Sequence, residues 1–84
     1  MNEQEIFKVV VNNIKQIIPG LDDHEFMPHE QLSDLGADSV ERAEVATMCL
    51  EELTLSVPRV ELFGVKNIGE LAHLLFIKYQ AVQA

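Results

Sequence analysis

One short stretch of the chain holds a hydroxyl in a position that could do chemistry: Leu35-Gly36-Ala37-Asp38-Ser39-Val40-Glu41. Gly36 and Ala37 carry no bulk, so the backbone can turn tightly in front of Ser39 without covering it. Asp38 followed three residues later by Glu41 has the pattern of a helix start whose two side chains cap each other's amides. Ser39 then falls in the first turn of that helix. There, free N–H groups and the positive end of the helix dipole favour a negative charge. Such a hydroxyl suits nucleophilic attack, if a base stands behind it, or acceptance of an anionic group such as a phosphodiester. It is equally compatible with a plain first-turn serine. Residue types and spacing alone leave these roles open.

Hydrolytic chemistry would need Ser39, one of His24, His29 or His73, and a carboxylate. No Gly-x-Ser-x-Gly elbow surrounds the serine, and so small a domain has little room for a water-excluded pocket. No catalytic residue is therefore assigned. His24, Glu25, His29 and Glu30 cluster behind Asp22 and Asp23, but their spacing matches neither a zinc site nor an EF-hand loop. They are expected to form a solvated polar loop, with no metal ligand among them. The glycines at 20, 36, 64 and 69 are scattered and make no phosphate cradle.

Behind these residues stands a chain of 84 residues, one domain at most. Its hydrophobic content of 48% is that of a folded domain, and the lack of Trp leaves a core built mainly from Val, Ile and Leu. The net charge of −8 disfavours nucleic acid and anionic membrane surfaces, both of which need a positive footprint. The single cysteine, Cys49, lies in an apolar-periodic segment and reads as a small buried hydrophobe. An acidic, polar start unlike a signal peptide, and the absence of a long apolar run, point to a cytoplasmic monomer.

Periodicity predicts three main helices and one short one. The first spans Glu3 to Ile18, capped by Asn2 and stopped by Pro19-Gly20, with Ile6, Val9, Val10, Asn13, Ile14 and Ile17 on one face. A long connection, Leu21 to Asp38, follows, pinned by Phe26, Met27, Leu32 and Leu35. The second helix spans Ser39 to Leu53, with Val40, Ala43, Ala46, Leu50 and Leu53 on one face, Val45, Met48 and Cys49 broadening it, and Glu41, Glu44, Glu51 and Glu52 largely outward. A short helix is placed at Pro58 to Phe63. The last runs from Asn67 to Tyr79, with 80–84 fraying, as do 1–2. The expected architecture is an all-α, small four-helix bundle over 1–84 with a long first loop.

The segment Leu35 to Glu41 closely resembles the phosphopantetheine attachment site of acyl carrier proteins. In that family a Leu-Gly-x-Asp-Ser-apolar run opens the second helix. The likeness extends over residues 3–80, through the long first loop, the acidic second helix and the Val57-Pro58 link. It implies that Ser39 is esterified by 4′-phosphopantetheine, taken from coenzyme A by a separate phosphopantetheinyl transferase. Asp38 would position it. The terminal thiol would hold an acyl group as a thioester, and the protein itself would catalyse nothing. Leu35, Val40, Glu41, Arg42, Glu44, Val45, Met48, Glu51 and Glu52 would meet partner enzymes.

Arg42 breaks the acidic run just after the serine, and the first loop is rich in His and acid. These departures are more like a free-standing polyketide-pathway carrier than a general fatty-acid carrier. The Asp-Ser-Val-Glu-Arg start is similar to discrete donor carriers of β-branching cassettes, which present acetyl to a hydroxymethylglutaryl (HMG)-synthase-like enzyme. Acceptor carriers of those cassettes tend to have a Trp after the serine, and this chain has none. The expected partners are thus the transferase, ketosynthase-type enzymes and an HMG-synthase-like enzyme. The alternatives are a fatty-acid or aminoacyl carrier, or an unmodified acidic interaction module.

Overall fold

The structure, a computed structural model, describes residues 1–83; the Gln83 side chain and all of Ala84 lie outside the described residues. Three α-helices follow one another, α1 (Glu3–Ile17), α2 (Ser39–Glu52) and α3 (Ile68–Gln83), with a 3₁₀ turn at Arg59–Leu62 before α3. α1 packs on both α2 and α3, and the 3₁₀ turn packs on α2. The expected helical bundle with a long first loop forms. Its short element is a single 3₁₀ turn inside the span from Pro58 to Phe63.

α1 begins where Asn2 and Glu5 cap each other: Glu5 N donates to Asn2 Oδ1 at 2.8 Å, and Asn2 N donates to Glu5 Oε1 at 2.9 Å. Residue 2, expected to fray, is held by this pair. Ile6, Val9, Val10 and Ile14 are buried at helical spacing. Each such side chain contributes on the order of 1.5–3 kcal/mol relative to exposure. The helix ends at Ile17, because Ile18 takes an extended conformation before Pro19. Asn13 sits in the same buried face. Its amide donates to Val9 O at 3.0 Å and to Glu52 Oε1 at 3.3 Å, tying α1 to α2.

α2 buries Ala46, Leu50 and Leu53 of the expected row, but the buried face is centred on its Val45 and Cys49 side and leaves Val40 outside. Val45, Ala46, Cys49 and Leu50 are buried, while Val40 is 64% exposed and Ala43 is half-buried. Apolar residues lie nearly all round this helix, so periodicity alone does not choose a face; packing against α1 selects the row through Val45 and Cys49. The helix closes with Leu55 N donating to Leu50 O at 2.8 Å and Thr54 N to Glu51 O at 3.1 Å. This is a Schellman cap with Thr54, at φ 57, in the left-handed position usually taken by glycine.

Asn67 caps α3, its Oδ1 accepting from Glu70 N at 2.8 Å. Ile68, Leu71, Ala72 and Leu75 are buried behind it. α3 continues to Gln83, so residues 80–83, expected to fray, are helical; of that tail, Ala84 lies outside the described residues. The long first loop is docked on the start of this helix. Glu30 O accepts from Ile68 N at 2.9 Å and Pro28 O accepts from Gly69 N at 2.8 Å. A Cβ at residue 69 would lie 2.7 Å from Pro28 Cβ, so only glycine admits the loop this closely. Phe26 and Leu32 pack against the core as expected. Met27 is 44% exposed and Leu35 is half-buried but not packed on the core, because the hydrogen bonds to α3 fix the loop between them.

Candidate functional site

Three local devices place Ser39. Gly36 adopts φ 96, which lets the turn reverse, and Gly36 N and Ala37 N donate to Ser33 O and Leu32 O at 3.2 and 3.1 Å. Ala37 is buried, which pins the turn to the bundle. Asp38 is then extended and caps α2: Glu41 N donates to Asp38 Oδ1 at 2.8 Å, and Asp38 N donates to Glu41 Oε1 at 3.1 Å. The two acids of the motif are thereby engaged with each other's backbone. Ser39 is the first residue of α2 and is exposed. Among the described residues, the amides of Ser39 and Val40 have no protein partner.

Beside Ser39 lies a cleft of about 330 Å³ between α2, the 3₁₀ turn, the start of α3 and Leu32 of the first loop. Its floor is apolar, from Leu62, Ile68 and Leu71, and the small Ala43 and Ala46 leave it open. Arg42 and Lys66 line it with Ser39 and supply positive charge. An anionic phosphodiester on the Ser39 hydroxyl fits this setting: free amides and a helix dipole on one side, two cations on the other. No histidine lines the cleft. His24 Nε2 is 2.7 Å from Glu30 Oε2, and His73 Nδ1 is 2.9 Å from Glu3 Oε1.

Cys49 has no exposed surface, and burial pushes its thiol up to about 12, with the Asn13 hydrogen bond opposing and the Glu52 charge adding. It is an inert core residue, as its sequence position implies.

The residues expected to meet partners divide. Val40, Arg42, Glu44, Glu51 and Glu52 are exposed, and Leu35 and Met48 are half-buried. Glu41 is half-buried and occupied by the cap. Val45 has no exposed surface and belongs to the core, so its place on a docking face is corrected. Sequence reasoning missed the apolar side chains left exposed beside α2. Arg59 Nη1 donates to Thr47 Oγ1 at 3.2 Å, laying the 3₁₀ turn against α2. Val60 and Phe63 then stand 67% and 63% exposed. The only signal for this was the pair of small residues, Ala43 and Ala46, that lets the turn approach.

A helical bundle that presents a serine at the head of its second helix, beside an apolar cleft rimmed by cations, has the form of a carrier-type domain. The sequence matches the family described as phosphopantetheine attachment site over residues 10–75. It is 57% identical over 81 residues to the polyketide biosynthesis acyl-carrier-protein AcpK of Bacillus subtilis (strain 168), covering 96% of this chain and 99% of that protein. It is also similar, with a TM-score of 0.90 and 44% identity, to a chain in the crystal structure of the curacin biosynthetic pathway HMG synthase in complex with acetyl donor-ACP. That match covers 93% of this chain and 100% of the other. The chain belongs to the phosphopantetheine-binding acyl carrier protein family, whose cofactor is covalent 4′-phosphopantetheine. No helix among the described residues is long and apolar enough to cross a membrane.

Proposed function

We propose that this protein holds an acetyl group for polyketide biosynthesis and delivers it to an HMG-synthase-like enzyme, from an arm esterified to Ser39. The observation that carries this reading is the exposed Ser39 hydroxyl at the cationic mouth of the cleft, in a chain with the fold of an acetyl donor carrier. When bound, the prosthetic group supplies a thiol on which the acyl group rides as a thioester. The residues of the chain do the holding and the presenting. Asp38 and Glu41 lock the helix start, so the hydroxyl is offered in one direction. Arg42, Lys66 and the free amides of α2 offset the phosphodiester charge. The exposed part of α2, from Val40 to Glu52, together with Leu35, faces partner enzymes. The protein itself does no bond chemistry on the acyl group and works in the cytoplasm, where a phosphopantetheinyl transferase loads it and ketosynthase-type enzymes share the product.

Intact mass after incubation with coenzyme A and a phosphopantetheinyl transferase tests the attachment. The wild type should gain one arm and Ser39→Ala none; a gain that survives the substitution would move the site elsewhere. Acetyl transfer from the loaded protein to an HMG synthase, with a fatty-acid ketosynthase as comparison, tests the assignment of partner.

A further inference from the structure

The hydrogen bonds of the first loop join the start of α3 to Ser39 through one compact piece of chain. The piece begins at Glu30, whose backbone oxygen accepts from Ile68 N at 2.9 Å. Ile68 is buried and forms part of the floor of the cleft beside Ser39. From Gln31 to Ala37 the chain is bonded to itself. Gln31 O accepts from Asp34 N and Leu35 N at 3.0 and 3.2 Å, Leu32 O from Leu35 N and Ala37 N at 3.1 Å each, and Ser33 O from Gly36 N at 3.2 Å. Leu32 of this piece lines the cleft. Asp38, which caps α2, comes directly after it, and Ser39 follows. A bonded strut, and not slack chain, therefore spans the distance from the cleft floor to the serine.

Glu30 stands at the foot of the strut, and its half-buried carboxylate makes two further contacts. Oε1 accepts from Met27 N at 2.6 Å, and Oε2 lies 2.7 Å from His24 Nε2. His24 meets the Phe26 ring edge-on, with 4.7 Å between centroids, and Lys15 of α1 lies 5.8 Å from that ring. Between Met27 and Glu30, Pro28 O accepts from Gly69 N. One side chain thus shapes the turn that lays the loop on α3 and links that turn to the end of α1.

Resting on the carrier reading above, we infer that Glu30 is a positioning residue for the loading of Ser39: its carboxylate holds the foot of the strut, and the strut sets where the serine oxygen stands. Glu30 touches no reacting atom. In loading, the Ser39 oxygen forms a bond to the phosphorus of coenzyme A that bears pantetheine. The pyrophosphate P–O bond at that phosphorus breaks, adenosine bisphosphate leaves with the electron pair, and the hydroxyl proton passes to the transferase. Such a displacement needs the attacking oxygen in place, and a shift of about 1 Å can cost on the order of a hundredfold. With the foot released, buried Ala37 and the Asp38 cap still hold the helix start, so the shift is smaller and a loss of about tenfold is expected.

The test is loading of the apo-protein by a phosphopantetheinyl transferase with coenzyme A, followed by intact mass. Glu30→Ala should lower kcat about tenfold and leave KM for the carrier within about twofold of wild type. A role confined to stability gives the opposite split, because a carrier that is folded only part of the time raises KM and not kcat. Glu30→Gln keeps an oxygen for Met27 N and should regain most of the lost kcat. Glu30→Asp keeps the charge with a shorter reach and should lower kcat about threefold, which tests the role even where alanine is not tolerated. Glu25→Ala, at an exposed glutamate of the same loop, should load like wild type. In Glu30→Ala, amide exchange should quicken at Leu35 and Ala37 while Val45 and Cys49 of α2 stay protected. Wild-type kcat in the alanine and aspartate variants, or a raised KM alone, overturns the positioning role and leaves the carrier reading standing. Equal loss of protection in α2 overturns it too, since the whole fold has then loosened. If the wild type takes up no arm under conditions that load a known carrier, the attachment at Ser39 falls and this inference falls with it.

Discussion

The cleft beside Ser39 has two walls, attached to the bundle in opposite ways. The first loop is the longer segment, yet backbone carbonyls lock it to α3 at Ile68 and Gly69, and Glu30 knots it internally through Met27 N at 2.6 Å and His24. The 3₁₀ segment is shorter and leans on α2 through the buried Leu62 and one Arg59–Thr47 hydrogen bond, with Val60 and Phe63 exposed. Loop length therefore does not set order here. The N–H groups at a helix start need partners, and leaving one buried and unpaired costs about 1–3 kcal/mol. The first loop supplies those partners for α3. The 3₁₀ segment makes no such backbone hydrogen bonds to α3 among the described residues, so it is expected to open more readily than the loop.

Truncation on each side should separate the walls most clearly. Ile68 has no exposed surface and sits where loop, helix and core meet, so Ile68→Ala should cost about 4 kcal/mol. Leu62→Ala removes as large a side chain from a short segment with no backbone hydrogen bonds to α3, which can settle over the gap, and should cost about 2 kcal/mol. Urea denaturation of both variants gives the comparison. Equal losses would mean that the 3₁₀ segment is held as firmly as the loop.

The same contrast governs what could be read in advance. The caps at Asn2, Asp38 and Asn67 were legible because each rests on a local pair spaced by three residues, and all three form. The position of Ser39 at the exposed start of α2 was legible through its motif. Hidden were features decided by distant packing. Val45 looked available because α2 is apolar nearly all round, and only α1 determines that it is buried. Arg59, Phe63 and Lys66 join Arg42 across a tertiary contact that no spacing announces. Likewise, Gly69 is scattered in sequence and meaningful only once Pro28 lies against it.

Gly69→Ala should have the next largest effect. Alanine gains roughly 1 kcal/mol of helix propensity over glycine inside a helix. Against this, its Cβ would meet Pro28 Cβ at 2.7 Å and Pro28 O at 2.8 Å, and such crowding costs typically about 1–3 kcal/mol. The neighbours are a ring carbon of Pro28 and its backbone, which yield poorly, so a net loss of about 1 kcal/mol is expected, seen as a melting point lower by about 4–8 °C. Amide exchange at Ile68 and Gly69 should quicken as the loop lifts. A variant that is stabilised, with both amides still protected, would show that the loop is looser than its hydrogen bonds imply.

The smallest effect concerns the knot at Glu30. The Met27 N–H bonded to its carboxylate holds the Glu30 pKa below the ordinary glutamate value, against the opposing effect of burial, and His24 and His29 lower it further. A carboxylate depressed in the folded state stabilises the protein above its unfolded pKa, and that contribution disappears as pH falls through the folded value. The wild type should thus exceed Glu30→Gln in melting temperature at pH 6, and the gap should close toward pH 3. Glu25→Gln, an exposed glutamate on the same loop, serves as the comparison. Since the knot lies in the first loop and not in the 3₁₀ segment, acid should release amide protection at Ile68 and Gly69 before Phe63 changes. Were the 3₁₀ segment to respond first, the pinned wall would not be the one that Glu30 maintains.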